Sequence, residues 1–363
     1  METSSIPSIN TQTCNSHCEI NPKTYALLRQ SAPTADSIPH TPRYFPLHQG
    51  RYEVKPGMYR FGYDFGNGDG DRHLFQIDAS FDFYHQTKLT ARRENLYKYF
   101  QTCNYADNIN REVIKLIVSR LLSEYPQYFH REDLPTGDFA LHCLLTQETL
   151  NFDQQGFLKT VSPANPIPKY TYGLDAIACQ IQEDVTVICR HPDTGQNWVS
   201  AIHLCFPNHW SAAAKIGQDF TTIHQPVAEI APINRRADSL VKGMIYGQPM
   251  VRFAWGISTD TYLNHHPEPA PGFDAQFWSG RRFCLDQPQL YLRIERQVIW
   301  GLPQVHAALF TIRTYFRDCA VICQDIHLRN QLISAIKSMS QESLIYKGLS
   351  VSKGDICRWM EGF

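Results

Sequence analysis

Between Leu290 and Trp300 the chain alternates with period two, and one charge falls on the wrong side. Leu290, Leu292, Ile294, Val298 and Trp300 share one face of an extended strand, while Arg293, Glu295 and Gln297 share the other. Arg296 interrupts the apolar face. A guanidinium there needs an anionic partner or an edge position where a ladder of ion pairs reaches solvent. Arg252 in V-R-F-A-W and Arg313 in L-F-T-I-R-T-Y repeat the theme on two further extended runs. Three strands thus offer arginines among aromatics, either as a structural ion-pair network or as the edge of an anionic ligand.

Histidines and a lysine add to this pattern. In A-I-H-L-C-F-P alternation puts Ile202, Leu204 and Phe206 on one face and His203 and Cys205 on the other. Asn208 can cap a short helix over H-W-S-A-A-A-K-I, closed by Gly217 and carrying His209 and Lys215. Lys215 reads either as solvated or as the partner of an anionic group. His224 lies two residues before Pro226, and the proline is expected to hold Gln225 extended. His224 reads as a hydrogen-bonded histidine or as a metal ligand whose second nitrogen needs an acceptor.

Several function classes are excluded. The net charge of −1 over 363 residues offers no basic field for nucleic acid. No apolar run is long enough for a membrane span, and the polar N-terminus lacks a signal-peptide pattern. Eleven cysteines in such a chain read as reduced thiols, which places the protein in the cytoplasm. C-x-x-C, C-x-x-C-H, G-x-G-x-x-G, the P-loop and G-x-S-x-G motifs are all missing. The pairs Cys14/Cys18 and Cys319/Cys323 lack the further ligands of a metal site. The Gly/Asp run at 60–72 lacks the spacing of a calcium loop and reads as a solvated turn, as does His130–Glu132.

Periodicity predicts helices over 90–103, 109–123 and 135–150, then a proline-rich connection over 151–172. In the second helix Val113, Ile114, Ile117, Val118, Leu121 and Leu122 form an apolar stripe. A hairpin follows, with D-V-T-V-I-C-R and W-V-S-A-I-H-L-C-F-P flanking P-D-T-G-Q. A helix over 233–246, strands at 250–258, 289–300 and 307–316, and helices near 324–338 and 354–361 complete the chain. Five antiparallel strands with helices inserted midway give an α+β fold with a helical N-terminal extension. The expected organisation is a flexible leader over 1–45, one domain over 46–345 and a helical tail over 346–363.

Six short motifs carry a resemblance when taken in order: Q-E-D-V at 182–185, F-P-N-H-W…K-I-G at 206–217, I-H-Q-P-V at 223–227, R-F-A-W at 252–255, L-R-I-E-R-Q at 292–297 and L-F-T-I-R-T-Y at 309–315. Together they resemble the haem-dependent oxidative N-demethylases, the dimethylamine monooxygenase α-subunit-like proteins, from about residue 50 to about 320. The resemblance implies a PAS-like fold that holds haem b. It implies oxidative N-demethylation of a small secondary amine with O2. Electrons would come from NADPH through FMN and a 2Fe-2S centre on a separate reductase partner.

On that reading the residues singled out above take expected roles. His224 would be the axial iron ligand, with His203 as the competitor. Lys215, Arg252, Trp255 and Arg313 would contact the cofactor. Glu295 would meet the protonated amine, while Arg293 and Arg296 would shape the oxygen side or the propionate contacts. Two departures bear on substrate choice: Ala228 follows Val227 where the family has proline, and Ala254 precedes Trp255 where it has asparagine. A non-enzymatic haem sensor is the alternative reading, since fold does not dictate activity.

Overall fold

The computed structural model describes residues 29–47, 49–163 and 166–363 of the chain, so Cys14 and Cys18 lie outside the described residues. Its strands are β1 (Tyr59–Arg60), β2 (Phe100–Thr102), β3 (Phe129–Asp133), β4 (Phe139–Cys143), β5 (Glu148–Phe152), β6 (Leu158–Ser162), β7 (Asp184–Arg190), β8 (Asn197–His203), β9 (Met250–Ser258), β10 (Tyr291–Leu302) and β11 (Ala307–Asp318). Seven form one sheet in the order β1-β9-β10-β11-β7-β8-β2, and β3 to β6 form a second, four-stranded one. Every pairing between these strands is antiparallel. Mixed helix and antiparallel sheet make this an α+β fold, as the sequence predicts.

The large sheet is covered on both faces. On one face Val185, Val187, Ala201, Val251, Val298 and Leu309 pack against the helix Asp107–Glu124, through Val113, Ile114, Ile117, Val118 and Leu121, all buried. Leu122 packs only partly buried against the same cluster. Each such side chain contributes roughly 1.5–3 kcal/mol on burial. C-terminal helices Ile326–Lys337 and Lys353–Glu361 cover Leu292, Ile294 and Tyr315 further along that face. On the other face Ile188, Ile299 and Ala308 meet Val241, Met244 and Ile245 of the helix Ala237–Tyr246.

Three expectations fail for local reasons. The helix over 135–150 is the β4–β5 hairpin, because Phe139, Leu141 and Cys143 alternate into the core and Gln147 takes a positive φ of 58° at the turn. The proline-rich connection contains β6, so a second sheet stands inside the expected helical half. The capped helix after Asn208 is replaced by turns, with His209 at φ 62° and Gly217 at φ 72°. Asn208 Nδ2 donates to Glu295 Oε1 at 3.5 Å.

Residues 29–45, read as part of a flexible leader, pack: Ala32, Ala35 and Tyr44 are buried, and Ala35 N donates to Phe316 O. The Gly/Asp run is not wholly solvated either. Asp71 is buried and accepts from Tyr44 Oη at 2.9 Å, Phe65 N at 2.8 Å and Asn67 N at 3.0 Å. His130–Glu132 belongs to exposed strand β3 rather than a turn. Cys319 and Cys323 lie on one short helix as buried thiols.

Candidate functional site

The helix Phe220–His224 brings the first candidate onto the sheet. Asp219 caps it by accepting from Thr222 N, and Asn197 Oδ1 of β8 accepts from Phe220 N at 2.8 Å. Gln225 is not extended: its φ of −50° and ψ of −37° continue the helix. The bias before proline is only a preference, and the bond from Val227 N to His224 O closes the turn regardless.

His224 Nδ1 lies 2.7 Å from Phe220 O, and its ring packs 4.3 Å from the Phe220 ring. That contact makes Nδ1 the protonated nitrogen and leaves Nε2 with a free lone pair. Burial pushes the His224 pKa down to about 4, with Arg252 and Lys215 adding to the effect, so the ring is neutral at pH 7. Lys215 donates to Ile223 O, tying the preceding turns to this helix.

Below His224 lies the polar row of β9 and β10. Register pairs Ala254 with Glu295 and Arg252 with Gln297. Glu295 is 9% exposed; its Oε2 accepts from Gln297 Nε2 at 3.1 Å and its Oε1 from Asn208 Nδ2 at 3.5 Å. Arg293 Nε stands 3.8 Å from Glu295 Oε1. The Arg293 fork is otherwise spent on carbonyls: Phe206 O at 2.8 Å, Leu263 O at 3.2 Å and Tyr262 O at 3.3 Å. Arg252 Nε is buried without a hydrogen bond, and burial lowers the Arg252 pKa.

Arg281 and Lys347, which the sequence reading did not single out, close this row together with His209. Lys347 ends the helix Gln341–Lys347 and donates to Trp255 O at 2.7 Å. Burial lowers its pKa to about 8 although Glu295 acts in the opposite direction. Arg281 crosses Gly348, where a Cβ would stand 2.2 Å from Arg281 Cδ, and reaches Tyr346 O at 3.3 Å. His209 stacks on His265 at 5.5 Å, and His265 Nε2 lies 2.9 Å from Asp260 Oδ1. Burial and the cations Arg281, Arg293 and Lys347 push the His209 pKa far down. His209, His224, Arg252, Arg281 and Lys347 are enclosed enough for burial to disfavour their charge, yet each keeps accessible surface. Groups of that kind line a cleft.

Alternation splits the remaining candidates from this cleft. Arg296, Arg313, His203 and Trp255 stand on the opposite face of the sheet. Arg296 needs no anion: it donates to His73 O at 2.9 Å and Leu74 O at 3.5 Å. Arg313 pairs with Asp78 Oδ2 at 3.0 Å and lies 4.0 Å over the Tyr84 ring. Trp255 meets Tyr52 edge to face and lines, with Phe253, Tyr44, Tyr59, Tyr63 and Phe65, a separate hollow of about 430 Å³. His203 is buried, with Nε2 3.3 Å from Asp175 Oδ1 and its two nitrogens 3.9 Å from Cys179 Sγ and Cys205 Sγ. Asp175, Cys179 and His203 are close enough to hold an ion. Both Asp175 oxygens already accept from Arg92 at 2.8 Å, and burial raises the Cys179 pKa, so the cluster reads as an ion-pair network.

The fold and this row of groups define an α+β protein in which a neutral imidazole, a buried carboxylate and surplus cations gather over one face of a seven-stranded sheet. The chain belongs to the family described as haem-dependent oxidative N-demethylase, alpha subunit-like, whose family model matches residues 68–357. The match runs from the Gly/Asp turn to the last helix and includes His224, Glu295, Arg281 and Lys347.

Proposed function

We propose that this chain is the haem-binding, oxygen-using subunit of a system that oxidatively demethylates a small secondary amine. His224 carries the reading. Its Nδ1–H is committed to Phe220 O, its Nε2 is free, and its charge is suppressed by burial. Those are the features an axial imidazole needs. When bound, haem b supplies the oxidising chemistry, while the chain positions substrate and tunes the iron.

Glu295 meets the amine. A protonated dialkylamine presents two N–H donors, and Gln297 and Asn208 hold the carboxylate toward the cleft. Arg293, beside Glu295 and fixed by three carbonyls, presents a cation to developing negative charge on dioxygen. The overall reaction balances as one amine, one O2, two electrons and two protons giving the demethylated amine, formaldehyde and water. The alpha-subunit-like family description supports a separate component as the electron source. In our reading that component carries NADPH, FMN and a 2Fe-2S centre, the haem-binding body is PAS-like, and the complex is cytoplasmic. No helix among the described residues is long and apolar enough to cross a membrane.

Haem-loaded protein with NADPH and a surrogate flavin reductase tests this. The expected result is amine-dependent O2 uptake with one formaldehyde per O2. Haem binding without amine-dependent uptake across a panel of methylated secondary amines would leave the sensor reading in its place.

A further inference from the structure

Arg252, Arg281 and Lys347 converge on the cleft from a strand, a loop and a helix C-terminus, and none has a carboxylate within 4.0 Å among the described residues. Lys347 lies within electrostatic reach of Glu295, Arg281 and Arg252, and Arg252 within reach of Glu295 and of His224. Glu295 is the acid common to Arg252 and Lys347, and Arg293 already stands closest to it. Enclosed cations in such surplus are costly unless a ligand brings matching negative charge.

Their geometry is built rather than incidental. Lys347 is held by Trp255 O at one of its three N–H donors, and the left-handed Gly348 that caps its helix lets Arg281 cross beside it. Arg252 keeps a buried Nε with no acceptor. The other cations considered are differently committed: Lys215 bonds Ile223 O, and Arg313 is paired with Asp78 on the opposite face.

We propose that Arg252, Arg281 and Lys347 form a cradle for the carboxylates of a dianionic ligand in this cleft. Resting on the function proposed above, that ligand is the haem, and the carboxylates are its two propionates. With Glu295 taken up by Arg293, two unit charges would offset two of the three cations and leave one. The same chemistry would suit a free dicarboxylate, so the test must separate the two sources.

The apoprotein is titrated with haem and with haem dimethyl ester, following absorbance and tryptophan quenching. Wild type is expected to bind haem about tenfold or more tighter than the ester, as lost charge-assisted bonds require. Lys347→Met and Arg281→Gln are each expected to weaken haem binding by about that factor and leave the ester unchanged, with Lys347→Arg restoring affinity. Thermal melts verify that the variants fold. Variants that bind haem like wild type, or that lose haem and ester equally, overturn the cradle. If wild type binds neither porphyrin, the proposed function falls. A succinate-induced rise in melting temperature that Lys347→Met abolishes would then support a cradle for a free dicarboxylate, and no rise would overturn it.

Discussion

Gln297 Nε2 donates to Glu295 Oε2 across 3.1 Å from two residues further along the same strand face. The period of the strand alone sets this pair on one face. The amide fixes the orientation of the carboxylate that would meet a cationic amine. Glu295→Gln is expected to lower kcat/KM for the amine by about tenfold or more, roughly the 1.5–3 kcal/mol of a hydrogen bond to a charged group. Haem content should stay at the wild-type level. Steady-state O2 uptake together with a pyridine haemochrome assay checks both parts.

Arg92 and Asp175 are fully buried and joined by two bonds of 2.8 Å. Removing one partner strands the other charge in the core. Arg92→Ala is expected to lose about 3–5 kcal/mol of stability in urea denaturation. A loss below about 1 kcal/mol would show the pair to be dispensable.

His203 belongs to the same network, 3.3 Å from Asp175. His203→Ala is expected to lower the melting temperature while leaving haem stoichiometry and the Soret position unchanged. A variant that melts like wild type but loses its haem would move the axial ligand from His224 to His203.

Glu183 is buried, and its Oε1 accepts from Gln76 N at 2.7 Å while its Oε2 has no partner. Burial raises its pKa to about 7, above the unfolded value. The folded state therefore binds more protons than the unfolded state between about pH 4.5 and 7, and stability falls as pH rises through that window. Glu183→Gln keeps the bond from Gln76 and removes the titration. Its melting temperature relative to wild type should rise between pH 5 and pH 8. A constant or shrinking difference would mean that Glu183 stays charged without penalty.

Much of this was legible in the chain because local period carries it. The alternation at 290–300 gives both faces of β10, and the i, i+4 stripe gives the helix Asp107–Glu124. The β4–β5 hairpin was not, since Leu141, Leu144 and Leu145 also fall at the i, i+3 and i+4 spacing of a helix, and only Gln147, at positive φ, turns the chain. Arg296 looked like an anion seeker because its partners are carbonyls of His73 and Leu74, more than 200 residues away. Lys347 carries the ordinary signal of a helix end before glycine, and nothing local ties it to Glu295.

The absorption spectrum of the purified protein, oxidised and after dithionite, tests the assignment of His224 most directly. Wild type should show a Soret band that shifts on reduction. His224→Ala, folded by its melting curve, should lose or displace that band and recover it with added imidazole. An unchanged spectrum at full haem occupancy in His224→Ala would contradict axial ligation by His224.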